Sequence, residues 1–206
     1  MLSYSFERAW SFAERTKGWL TREEGELLYG LSAQASCRYS RVVELGSYCG
    51  RSSIVLAAGL AGQSQLPLVC IDTFRGSSEH QPGSRYFDPD TLVDGVVNTY
   101  SAFVRNLQAA ALWDHVEPIQ LSTREAATKL FTPVGLLFVD ASHEYEAICE
   151  DLCVWSSRVV SNGCIVLHDV GTWSGPTRAA ADLLEAGFKR FAQSGTALAL
   201  RKPTAR

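Results

Sequence analysis

Two runs in this chain, Gly135-Leu136-Leu137-Phe138-Val139-Asp140 and Gly163-Cys164-Ile165-Val166-Leu167-His168-Asp169, stay apolar until each ends in an acid. A strand with one wet face alternates apolar and polar side chains. A run without alternation has to be covered on both faces, which is the condition of central parallel strands. Three further β-rich runs precede them: Arg41 to Leu45, Leu66 to Asp72 and His115 to Gln120. Pro118 breaks the ladder of the last and predicts a peripheral position for it. Between these runs lie segments of helical period: Ser52 to Leu60 closing at Gly62, Val97 to Ala111, and Glu144 to Val160 with Asn162-Gly163 as its stop. Thr21 and Glu24 form a capping box that opens another helix, within an N-terminal helical segment over residues 1–36. Strand alternating with helix predicts an α/β, Rossmann-like, doubly wound, mostly parallel sheet. Two short runs, Phe188 to Phe191 and Thr196 to Leu200, are expected to close one edge as an antiparallel hairpin, giving seven strands.

The length, 206 residues, predicts one domain over 1–206. With 19 Lys and Arg against 22 Asp and Glu, the net charge is −3 and no basic block stands out. That excludes nucleic-acid binding through general basicity. No apolar run reaches the roughly 20 residues that span a bilayer, and the N-terminus lacks a signal pattern. The six cysteines, Cys37, Cys49, Cys70, Cys149, Cys153 and Cys164, form no CxxC pair and mostly sit in apolar runs. They read as reduced core residues of a cytoplasmic protein. Phe6, Trp10 and Phe12 make the N-terminal segment apolar enough to dock on a neighbouring copy, as in a homo-oligomer, or on its own core.

One stretch has no periodicity. Residues 74–96 are rich in Gly, Ser, Pro and Asp and follow the second strand. A connection of this length is usually a lid, a substrate loop or a disordered segment.

The first strand runs into Glu44-Leu45-Gly46-Ser47-Tyr48-Cys49-Gly50-Arg51-Ser52-Ser53. Gly46 and Gly50 allow a tight turn and a close ligand approach. A phosphate-binding GxxxxGK[ST] loop fails on spacing and on Arg51, and GxGxxG fails at Tyr48. The remaining reading is the acidic-x-Gly-x-x-x-Gly turn that holds S-adenosylmethionine. Asp72, ending the second strand, is either the acceptor for a ribose diol or a loop cap.

These segments, followed in order by Ile71-Asp72-Thr73-Phe74, Val139-Asp140-Ala141-Ser142-His143-Glu144-Tyr145-Glu146, Asp151-Leu152 with Trp155, and Asn162 to Asp169, resemble the class I S-adenosylmethionine-dependent methyltransferases. The closer resemblance is to small-molecule O-methyltransferases of the macrocin O-methyltransferase-like and cephalosporin-hydroxylase-like group, over about Trp19 to Val170. It implies that Glu44, Gly46, Ser47, Gly50, Asp72 and Thr73 bind the cofactor. Ser122 and Thr123 are expected near the adenine, with Asp140 as a further contact. Transfer of a methyl group to a hydroxyl of a small molecule, a sugar or sugar-bearing metabolite, is the implied activity.

If the topology of the resembled family holds, the two acid-tipped strands are neighbours about 4.8 Å apart. Asp140, His143, His168 and Asp169 then converge. Paired carboxylates repel unless a cation or proton lies between them. The metal-dependent relatives imply a magnesium ion at Asp140, His168 and Asp169; His168 stands where those relatives carry a carboxylate, which favours manganese. His143 is the expected general base for the acceptor hydroxyl. His168 has an alternative, a structural bond on the other face of the sheet. Asp140 and Asp169 have theirs, capping helices or meeting the cofactor amine. Two other functions compete: a metal-dependent oxygenase using the Asp140, His143, His168 set, and a non-catalytic cofactor-binding partner subunit.

Overall fold

A computed structural model of the chain describes residues 4–35, 40–61 and 66–204. Cys37 and Gly62 lie outside the described residues, as do Met1 to Ser3. Helices α1 (Phe6–Ala13) and α2 (Arg22–Ala35) precede strand β1 (Arg41–Leu45), α3 (Arg51–Leu60) and β2 (Leu68–Ile71). A small hairpin, β3 (Leu92–Val93) with β4 (Val96–Val97), leads to α4 (Tyr100–Ala109), β5 (Val116–Ile119) and α5 (Thr123–Lys129). Then follow β6 (Val134–Val139), α6 (Tyr145–Trp155), β7 (Val159–Leu167), α7 (Ser174–Glu185), β8 (Lys189–Ser194) and β9 (Ala197–Arg201).

Seven strands form one sheet in the order β5-β2-β1-β6-β7-β9-β8. The first five are parallel, and β9 runs antiparallel to both β7 and β8. The Pro118 strand is at the edge, where its missing N–H costs nothing on the open side. Strand parity divides the core in two. Val42, Leu68, Leu136, Phe138 and Val166 meet α1 to α4 on one face. Val43, Leu45, Val69, Leu137, Val139, Ile165 and Leu167 meet α5 to α7 on the other. Both faces are dry, as the unalternated runs require. Trp10 is buried in this chain's own core, with Phe6 and Phe12 packed partly against it. No helix among the described residues is long and apolar enough to cross a membrane.

Three boundaries differ from the sequence expectation. Helix α4 starts at Tyr100 because Val96 and Val97 pair with Val93 and Leu92. Helix α6 stops at Trp155, and Val159 already pairs with Val134. Asn162-Gly163 is therefore no helix stop but an irregularity inside β7. Asn162 has φ 64°, and a Cβ at 163 would meet the Val160 carbonyl at 2.9 Å. A helix-stop signal and a strand bulge ask for the same left-handed residue, so periodicity could not separate them. Residues 74–96 carry two short 3₁₀ turns and half of the β3–β4 hairpin, whose turn is Asp94-Gly95, both at positive φ.

Candidate active site

Strand order reverses at β1, with β2 on one side and β6 on the other, and open α/β sheets place ligands at the carboxyl ends there. A cavity of about 710 Å³ occupies this position. Its floor is the turn after β1. Gly46 has φ 87°, and a Cβ there would lie 2.3 Å from the Asp140 carbonyl oxygen, so the turn touches the β6 loop backbone to backbone. Gly50, at φ 92°, precedes the first turn of α3, and a Cβ would strike Leu107 at 2.6 Å.

Two carboxylates shape this turn. Asp72 accepts from the backbone N–H of Ser47 and Tyr48, both at 2.8 Å, and from Phe74 N–H at 2.6 Å. It lines the cavity but its oxygens already cap the loop, so the cap alternative describes its present bonding. Glu44 is fully buried and lies behind the turn, away from the cavity wall. It accepts from the hydroxyls of Ser47 at 2.7 Å, Ser52 at 2.6 Å and Ser53 at 2.5 Å. Burial raises its pKa to about 7, opposed by the three serine hydroxyls.

A carboxyl whose folded pKa lies above its unfolded value stabilises the fold fully below the unfolded pKa and loses that contribution as pH rises through the folded one. For Glu44 the window runs from the ordinary 4.5 to about 7, and the loss is of order 3 kcal/mol. Relative to E44Q, the wild-type melting temperature is expected to fall between pH 5 and pH 8. A constant difference across that range would refute this account.

The acid-tipped strands are adjacent, and their ends converge as topology implied. Asp140, His143 and Asp169 bring donor atoms within 4.8 Å of one another. His143 Nε2–H donates to Asp169 at 2.9 Å and Nδ1–H to Glu79 at 2.6 Å. Its ring stacks on Trp173 with centroids 4.5 Å apart and planes 7° apart. Burial opposes its charge, but the bonds to Asp169 and Glu79 win and raise its pKa to about 9. Asp169 adopts φ 60°, a strained position for a non-glycine residue. Burial would raise the Asp169 pKa, yet His143 and His168 hold it well below the usual carboxylate range.

His168 shares the face of Val166 and points toward α2. Only 4% exposed, it donates from Nε2 to Glu24 at 3.3 Å. Its Nδ1 lies 3.3 Å from Asp140 Oδ1 and 3.2 Å from Asp169 Oδ2, in no regular hydrogen bond. Burial works against its charge, but Asp140, Asp169 and Glu24 together hold its pKa far above the ordinary histidine value. His168 thus makes a buried structural bond behind and turns its other nitrogen to the two aspartates in front. Glu24 caps α2 through Thr21 N–H at 2.9 Å and accepts from Thr196 N–H and Oγ1, both at 2.8 Å.

Gly46, Ser47, Asp72, Thr73, Ser122, Thr123, Asp140, His143, His168 and Asp169 all line the one cavity; Glu44 and Gly50 support it from behind. Strand order sets the layout: Ser122 and Thr123 follow β5 at one end, and His168 and Asp169 follow β7 at the other. Ser122 caps α5 in a capping box with Glu125. The Thr123 hydroxyl donates to the buried Asp151, whose pKa burial raises to about 6. Trp155 packs beneath, donating from Nε1 to the Thr123 carbonyl at 3.2 Å. At the mouth stand Trp19, which is 54% exposed, Tyr48, Tyr86 and Trp173. Trp19 lies 5.6 Å from Tyr48 and 5.7 Å from Tyr86, centroid to centroid.

Sequence reasoning missed Glu79, Trp173, Gly175 and the second role of Glu24. Gly175 lets α7 rest on the His143 loop, since a Cβ there would fall 2.0 Å from the His143 carbonyl. No local signal marks Glu79 or Trp173, which lie outside periodic segments.

Residues 43–170, more than half of the chain, match the family model described as "Methyltransferase domain". Among solved structures the fold is similar to the O-methyltransferase NovP, at TM-score 0.70 and 13% identity over 88% of this chain and 80% of that one. The O-methyltransferase TomG from Streptomyces achromogenes, in complex with S-adenosylmethionine, gives 0.63 and 17% over 97% and 89%. An O-methyltransferase from Bacillus cereus in complex with S-adenosylhomocysteine gives 0.60 and 15% over 96% and 90%. The chain belongs to the methyltransferase-domain family, and its fold is that of the class I small-molecule O-methyltransferases.

Proposed function

We propose that the protein transfers the methyl group of S-adenosylmethionine to a hydroxyl oxygen of a small acceptor, with a divalent cation at Asp140, His168 and Asp169. The observation that carries this reading is one continuous cavity joining the Gly46 turn to the Asp140, His143, Asp169 cluster. An adenosyl group laid over the turn, with adenine toward Ser122 and Thr123, puts its sulfonium beside that cluster. The acceptor oxygen attacks the methyl carbon, the carbon–sulfur bond breaks, and its electron pair stays on sulfur. Most of the rate comes from holding oxygen and methyl in line.

The donor set fits a cation. The spacings of 3.2 and 3.3 Å from His168 Nδ1 to Asp169 Oδ2 and Asp140 Oδ1 match the edges of a coordination shell with bonds of about 2.1 Å. His168 Nδ1 is an orphaned buried atom, and Glu24 holds the opposite nitrogen, the usual backing for a ligating imidazole. Mixed nitrogen and oxygen donors favour manganese over magnesium. When bound, the cation would orient the acceptor hydroxyl and make it more acidic. His143 is the proton acceptor. Glu79 and Asp169 hold its proton, so it serves as base once Asp169 is engaged elsewhere.

A sugar or sugar-bearing metabolite is the acceptor we favour: Trp19, Tyr86 and Trp173 line the cavity, and aromatic rings suit the C–H side of a pyranose. The loop 74–96 covers that acceptor. An oxygenase would find two histidines and a carboxylate here but would leave the adenosyl half of the cavity without a use. Calorimetry with S-adenosylhomocysteine is expected to show micromolar binding, and no heat at millimolar ligand would end the methyltransfer reading. EDTA should abolish turnover and manganese restore it; turnover indifferent to chelation would remove the cation.

A further inference from the structure

The imidazole of His143 is held from three sides: Asp169 and Trp173 come from the connection between β7 and α7, and Glu79 comes from the loop after β2. Trp173 stacks on its face at 4.5 Å and fixes the plane. Stacking, however, is nearly blind to a half-turn of the ring about χ2, a torsion that is broadly two-fold for histidine. That half-turn would exchange Nδ1 with Cδ2 and Nε2 with Cε1, turning a carbon toward the acceptor. Asp169 distinguishes the two orientations while it is free to accept from Nε2. Once Asp169 is engaged by acceptor or cation, the remaining determinant is Glu79, which accepts from Nδ1 at 2.6 Å.

Glu79 is itself carefully placed. Its carbonyl accepts from Ser84 Oγ at 2.7 Å and from Tyr86 N–H at 3.2 Å. Gln81 Nε2 ties the preceding segment together by donating to the carbonyls of Arg75, Gly76 and Ser77 at 2.9, 3.3 and 3.1 Å. His80, the next residue, stacks on Tyr48 of the glycine turn with centroids 5.3 Å apart. Farther along, Lys17 fastens the loop through Asp88 at 2.5 Å and Asp90 at 2.8 Å. The carboxylate arrives 64 residues away in sequence from the histidine it meets.

We propose that Glu79 is the positioning residue for His143: its carboxylate selects the ring orientation that turns Nε2 toward Asp140 and Asp169, and it does so only while the loop is seated. The loop then both covers the acceptor and aligns the base, so alignment and enclosure occur together. This rests on the methyl-transfer reading for its purpose, but the geometry is testable without turnover.

The chain has four histidines, which makes nitrogen-15 imidazole spectra assignable by single substitution. In the wild type, His143 is expected to show a slowly exchanging Nδ1–H. E79Q, whose amide oxygen still accepts, should keep that signal, and E79A should lose it. The Tyr86 amide resonance should hold its place in both and so report an intact loop. In turnover, E79A should lower kcat about 10- to 100-fold, the range for removing a group that orients an active-site imidazole. KM for the acceptor and affinity for S-adenosylhomocysteine should stay within about threefold, with E79Q recovering most of kcat. Persistence of the Nδ1–H signal in E79A, or its loss in E79Q, overturns the proposal. Spectra as expected in a protein that binds no S-adenosylhomocysteine would overturn the methyl-transfer reading and leave the positioning role standing.

Discussion

E24A is expected to lower the melting temperature by about 10 °C, although Glu24 does not line the cavity. Four donors converge on this buried carboxylate: Thr21 N–H, Thr196 N–H, Thr196 Oγ1 and His168 Nε2. Burial would raise its pKa, but those donors hold it well below the usual range. Removing one partner of a buried ion pair costs about 3–5 kcal/mol, because the other charge remains without its counter-ion. At roughly 2–4 °C per kcal/mol for a chain of this size, the shift follows. E24Q should cost less, since the amide oxygen can still accept from Thr196 or Thr21. The same substitution takes away the group behind His168, so manganese affinity measured by calorimetry should fall about 10- to 100-fold. A melting temperature within two degrees of wild type would refute the pairing; unchanged manganese affinity would separate His168 from the cation.

H143A is expected to lower turnover about 10²- to 10⁴-fold, the range for losing a positioned general base, while S-adenosylhomocysteine binds within twofold of wild type. The separation has a structural reason. His143 lies beyond β6, whereas Ser122 and Thr123, which we propose meet the adenine, follow β5, with β2 and β1 between them in the sheet. A parallel fall in cofactor affinity would mean that the histidine holds the site together. Unchanged turnover would pass the base role to another group.

The unalternated runs announced β6 and β7 as strands covered on both faces, because double-sided burial leaves a direct mark on composition; that they are neighbours came from the family resemblance. Pro118 announced the edge because a missing N–H is tolerated only there. The Asp94-Gly95 turn, between Leu92-Val93 and Val96-Val97, carries a local hairpin signal, but strands two residues long are too short to show a period. The Thr21–Glu24 capping box could be read from spacing, but nothing in it told of His168, which is 144 residues away.

Local pattern thus determined the parallel sheet, the glycine turn and the acids that tip β6 and β7, since each depends on residues within a few positions of one another. Tertiary structure decided what stands opposite them: Glu24 behind His168, Glu79 and Trp173 around His143, and Glu44 turned away from the cavity it supports. Strand parity fixes the side of the sheet a residue faces, but only the packing of distant segments supplies the counter-charge it meets, and that partner sets its protonation and its chemistry.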